Sequence, residues 1–365
     1  MKATAWKLMN VILILIFGLS VGVPVHAAGV TINITVGSPY GLAYDSGKGE
    51  IFVADYGSDV VSVISDSKNA VTATVVATSA GNTPYSVAYD SAKGEIFAVN
   101  TYYGTNNLST VSVISDSNNA MIATLTAGTG PAGGIAYDSG KGEVFVANLG
   151  GGTVSVISDT TNTVVATVPV GEGPYGVAYD SGKGEVFVAN NLDNTVSVIS
   201  DSTNTVVGTV LVGESPRGVA YDSGRGEVFV ANVDSGTVSV ISDSTNTVVA
   251  TVAVGGLDYP WGLAYDSDHG DVFVASNNST YVSVISDTTN AVVANLTDGN
   301  HSTFAVYDAK KGEVFIANSG SNTVSVISGS QVPEFSSALM LVLFLTVSVV
   351  ALAAKKHRSH FHFAP

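Results

Sequence analysis

Hydrophobic and polar positions along this chain run in a repeating cycle of short apolar stretches and turn residues. In the copy near its middle, four stretches follow one another: GVAY at 176–179, EVFVAN at 185–190, TVSVIS at 195–200 and TVVGTVLV at 205–212. Each is short, rich in Val and bounded by turn residues, a pattern that predicts β-strands. Asp180-Ser181-Gly182-Lys183-Gly184 joins the first two and Asp201-Ser202-Thr203-Asn204 the last two. Gly supplies positive φ there, and Asp and Asn bond their own backbone, so both links read as hairpin turns.

The cycle recurs seven times. A Tyr-Asp pair starts at Tyr44, Tyr89, Tyr137, Tyr179, Tyr221, Tyr265 and Tyr307, and a VSVIS phrase follows each copy. Four-stranded units with a period of about 42–44 residues are propeller blades. Two orphan pieces support this reading. The stretch 29–36, GVTINITV, resembles the end of a repeat with no beginning, and the seventh repeat stops after Ile327-Ser328 without its last strand. The expected fold is therefore all-β: a seven-bladed β-propeller of four-stranded blades, closed by the N-terminal strand completing the last blade. A parallel β-helix, the alternative, would not explain the missing strand.

The ends depart from the pattern. Residues 1–27 carry Lys2 and Lys7, the apolar run Val11 to Val23, and then Val25-His26-Ala27, which reads as a secretory signal peptide. Residues 28–330 are assigned to the propeller and 331–335 to a linker containing Pro333-Glu334-Phe335. Residues 336–354 are uncharged and mostly apolar, about 28 Å as a helix, and predict one C-terminal transmembrane helix. Residues 355–365, opening on Lys355, Lys356, His357 and Arg358, form a basic tail expected on the cytoplasmic side. The repeats would then stand outside the cell, anchored at their C-terminal end.

Charge sharpens that picture. Residues 28–333 hold 9 Lys and Arg against 29 Asp and Glu, a net charge of −20. Phosphate backbones need the opposite sign, so no nucleic-acid partner is expected. The absence of cysteine excludes disulfides, thiolate chemistry and covalently attached c-type haem.

The phrase Phe-Val-Ala-Asn followed by Thr-Val-Ser-Val-Ile resembles the YVTN-type β-propeller repeat of archaeal surface-layer proteins, over roughly residues 30–328. It departs from the family's name motif where Phe and Ala replace Tyr and Thr. Pro333-Glu334-Phe335, the apolar run and the basic cluster resemble the PEF-type sorting signals of archaeal surface proteins. The resemblance implies an adhesive or structural cell-envelope protein, its partners an envelope protein or glycan and, through the terminal helix, the membrane. Related propellers include lactonases, lyases and haem-binding reductases, so an extracellular enzyme of the lactonase or lyase kind is the alternative.

Candidate chemistry is sparse. No Ser-His-Asp set, phosphate loop or zinc pattern is present, and neither catalytic residues nor a metal or other cofactor are assigned. His301, Asp258 and Asp234 are the polar candidates for an enzyme reading. The carboxylates that recur in every blade suggest a structural task, since an active site is needed once. Function is sought where the repeats differ. The position four before each Tyr-Asp reads Tyr40, Tyr85, Gly133, Tyr175, Arg217, Trp261 and Thr303. These are expected to ring one mouth of the central channel. With Tyr102, Tyr103 and Tyr259 from nearby loops, the aromatic and arginine members form the candidate partner site, being residue types enriched at binding hot spots. Acceptor sequons for N-glycosylation stand at Asn33, Asn107, Asn277, Asn278, Asn295 and Asn300.

Overall fold

The computed structural model describes residues 30–77, 82–102, 108–129, 132–254 and 259–328. The segments expected as signal peptide, sorting motif, transmembrane helix and basic tail lie outside them. All the described residues belong to one compact unit, 28–330. Among them, twenty-eight strands form seven four-stranded antiparallel sheets, and no helix is long and apolar enough to cross a membrane.

Blade four shows the plan. Its strands are β14 (Pro174–Asp180), β15 (Glu185–Asn190), β16 (Thr195–Ser200) and β17 (Thr205–Leu211), hydrogen-bonded in that order. The first strand of each blade lies innermost and packs against the first strands of both neighbours. The turn glycine Gly184 has φ 68° and the turn Asn204 φ 52°, so both hairpins need the left-handed region that the sequence supplies. β14 starts two residues before the expected run. Pro174 is tolerated as the first residue of the strand, where it pairs with Asn190 across a bulge. The inner strands crowd one another near the axis. A Cβ on Gly176 would run into the carbonyl of Arg217 in the next blade, so a side chain has no room there.

The core lies between blades. One phenylalanine per second strand, from Phe52 to Phe315, is fully buried. Phe187 packs with Val196 and Val198 of its own blade and with Val228, Val230 and Ile241 of the next. Each blade thus buries an apolar face that it could not bury alone.

The ring closes as the orphan strands suggested. β1 (Val30–Thr35) pairs antiparallel with β28 (Thr323–Ser328), forming the outer strand of blade seven beyond β27 (Glu313–Asn318) and β26 (Ser302–Asp308). Ile34 joins the core shared by blades seven and one. Val30 and Ser328 both lie at the face that carries the two hairpin turns of each blade. The opposite face carries the links between second and third strands and between successive blades.

Candidate functional site

At that opposite face the variable positions converge. Tyr40, Tyr85, Tyr175, Arg217 and Trp261 each stand near the start of an innermost strand, so the fold aims them at one axis. The Tyr40 ring lies 4.8 Å from that of Tyr85, and Tyr85 lies 6.1 Å from Tyr175, edge to face. The hydroxyls of Tyr85 and Tyr175 share a short hydrogen bond. The guanidinium carbon of Arg217 stands 3.7 Å from the Trp261 ring centre and 4.9 Å from that of Tyr175. These are cation–π distances. Tyr56, from the loop between the second and third strands of blade one, packs on Tyr40 at 5.2 Å. Beneath Tyr175, Arg217 and Trp261, a cavity of about 150 Å³ follows the axis, lined in part by Gly176, Gly218 and Gly262.

The remaining candidates divide. Thr303 is fully buried, and its hydroxyl donates to the Tyr40 carbonyl at 3.2 Å, so it serves the junction between blades seven and one. Tyr259 is exposed, with φ 48°. Tyr103 lies outside the described residues, as does the side chain of Tyr102. Tyr56 stands in the blade-one loop that the repeat makes equivalent to the one following Asn100.

His301 and Asp234 belong to blades seven and five. The Ser215 hydroxyl donates to Asp234 at 2.5 Å, while His301 is exposed; Asp258 lies outside the described residues. Among the described residues no group of three or more His, Asp or Glu side chains could hold a metal ion. Of the sequons, Asn33, Asn278, Asn295 and Asn300 are exposed and Asn277 is half-buried, while Asn107 is not described.

The recurring carboxylates act on the hairpin face. Asp180 is fully buried, and one of its oxygens accepts from the backbone N–H of Gly182 at 2.8 Å and of Lys183 at 3.2 Å. The Tyr221 hydroxyl of the next blade lies over this turn. Burial first, and then hydrogen bonding to Asp180, push the Tyr221 phenol far up. The same relation joins Tyr89 to Asp45 and, across the seam, Tyr44 to Asp308. The turn lysines add a clasp. Lys48 reaches the Asp116 carbonyl in the next blade and lies 3.8 Å from its carboxylate; Lys311 does the same with Asp66 at 3.9 Å. Blade six departs from this: His269 turns back to Asp266 of its own blade at 2.8 Å.

A pH dependence follows from the same face. Burial raises the carboxyl pKa of Glu50, Glu95, Glu143, Glu185, Glu227 and Glu313, partly opposed by a turn Lys or Arg. A carboxyl that binds its proton more tightly when folded stabilises the fold as pH falls through the folded pKa towards the unfolded value. Calorimetry should show the melting temperature rising as pH drops from neutral towards the ordinary Glu value. A flat or falling profile would refute the assignment.

The comparisons with known proteins agree on architecture. Residues 176–332, which span blades four to seven, match the family model described as a YNCE-like β-propeller. The chain is a seven-bladed β-propeller. A search of curated proteins finds no match. Among solved structures, Kuenenia stuttgartiensis hydrazine synthase is similar with a TM-score of 0.71 at 15% identity, over 83% of this propeller chain and 98% of that one. A chain in the crystal structure of a mitotic checkpoint complex is similar with a TM-score of 0.71 at 12% identity, over 85% and 95%. At such identities the likeness concerns the fold alone.

Proposed function

We propose that this propeller is a cell-surface binding module of the envelope, anchored at its C-terminal end and engaging an envelope component through the face that carries Tyr40, Tyr85, Tyr175, Arg217 and Trp261. The observation that supports this reading is the convergence on one axis of five residues of hot-spot type from the same position of five blades, a position whose residue varies in a chain whose blades otherwise repeat. Both described chain ends, Val30 and Ser328, lie at the other face. The secretory and anchoring segments read from the sequence supply the expected location, and the resemblance to surface-layer repeats the expected setting. A lactonase or lyase function draws no comparable support from the described residues: of its polar candidates, Asp234 accepts from the Ser215 hydroxyl and His301 is exposed.

The test is retention on isolated cell envelopes. The full chain should be retained, and the Arg217→Ala/Trp261→Ala pair should lose about tenfold or more of that binding, as removal of hot-spot side chains does. Lys68→Ala, on the hairpin face, should bind as the parent does. Equal retention of the pair and the parent, with unchanged melting temperatures, would mean that this face is not the partner surface.

A further inference from the structure

We infer that Arg217 is the centre of a carboxylate subsite at the channel mouth, and that the group it takes is the carboxylate of an acidic sugar. The inference rests on the partner-face reading above and names the chemistry of the ligand. Its starting point is the placement of positive charge. Every other lysine and arginine among the described residues sits in a hairpin-face turn, most of them beside a carboxylate. Arg217 stands alone at the other end of the axis. Among the described residues it forms no ion pair, and its Nε is buried without a hydrogen-bond partner. Among the described residues of a domain so rich in carboxylates, this half-buried cation has none in an ion pair with it. Tyr175 does not serve as its counter-ion, because burial pushes that phenol up against the pull of Arg217 and keeps the hydroxyl neutral.

The geometry suits a planar anion. The guanidinium carbon is held 3.7 Å from the Trp261 ring centre and 4.9 Å from that of Tyr175, two rings inclined at 74°; the Tyr175 hydroxyl takes up part of its planar N–H fork, and the buried Nε stays unpaired. A carboxylate matches that fork with two parallel hydrogen bonds, and a fork already held by two rings loses little freedom on binding. The cavity beneath it, about 150 Å³, is small, with room for a carboxylate and few atoms behind it. A larger ligand therefore enters end-on, with its body at the rim. There the partly exposed rings of Tyr40 and Tyr56 offer apolar faces and polar tips, which suit the C–H and O–H groups of a pyranose. A uronic acid presents both features in one residue.

Titration calorimetry on the full chain tests this with free glucuronate, a glucuronate-ended oligosaccharide and glucose. Glucuronate should bind saturably and glucose should not. Arg217→Gln should weaken glucuronate binding roughly ten- to hundredfold, the range for a lost charge-assisted pair. Arg217→Lys should fall between, since it keeps the charge without the fork. Unchanged melting temperatures exclude a folding defect. Tighter binding of the oligosaccharide would place the uronate on a glycan, and equal binding would make the free acid sufficient. Equal binding of glucose, an Arg217→Gln variant that binds as the parent, or no saturable binding of either uronate would overturn the subsite. Envelope retention separates the two readings. Retention that depends on Arg217 and Trp261 but is not competed by glucuronate sinks the subsite and spares the partner face; retention indifferent to both residues sinks the face itself.

Discussion

Deletion of residues 30–36 should leave a chain that no longer closes its ring, with a much lower melting temperature and rapid proteolysis. β1 is the outer strand of blade seven, and it pairs with β28 from Val30↔Ile327 to Thr35↔Thr323. Without it β28 becomes an unpaired edge, and the Ser325 hydroxyl loses its 2.7 Å bond to Asn33. The larger loss is apolar. Ile34 is 5% exposed and packs with Leu42, Val53, Phe315 and Val324 in the core that joins blades seven and one. Truncating a buried isoleucine alone costs about 2–5 kcal/mol. Deleting the strand strips its ladder as well, and the seam depends on that core because contacts such as Thr303 to Tyr40 span the whole sequence. A synthetic peptide covering 30–36, added in trans, should restore part of the stability by strand addition. A deletion variant that melts with the parent would show that blade seven stands on three strands.

The sequence disclosed the architecture because each blade is built from local signals. Turn glycines, turn asparagines and Val-rich runs mark hairpins within about 42 residues, and the strands Glu185–Asn190 and Thr195–Ser200 have the bounds that the pattern suggested. The start of β14 was less legible, because proline reads as a breaker unless it is known to open the strand. Contacts between blades were legible only as recurrence. The seven Tyr-Asp pairs announced a structural task, but nothing local told that the Tyr of one blade rests on the Asp of the previous one. The site was readable as a set of positions. That Tyr85 and Tyr175 touch across 90 residues, and that the Arg217 guanidinium comes within 3.7 Å of the Trp261 ring centre, depends on the radius of the inner ring, which no single repeat encodes.

Asp222→Ala should destabilise the protein by about 2–4 kcal/mol, and Asp222→Asn by much less. Asp222 is fully buried at the hairpin face, and one oxygen accepts from the backbone N–H of Gly224 at 2.7 Å and of Arg225 at 3.1 Å. Alanine leaves both donors without their acceptor and removes the carboxylate beneath the Tyr265 hydroxyl of the next blade. Burial first, then Asp222, push that phenol far up, so it stays protonated and remains a donor. Asparagine keeps an acceptor for the turn and an amide that can face the phenol, which is why its cost is smaller. Tyr265→Phe decides whether the pair acts between blades. If the carboxylate serves only its own turn, the two losses add. If it latches blade six onto blade five, a double-mutant cycle in denaturant should give a coupling of about 0.5–3 kcal/mol. A coupling near zero would confine each recurring aspartate to its hairpin and leave ring cohesion to the phenylalanine layers and the lysine clasps.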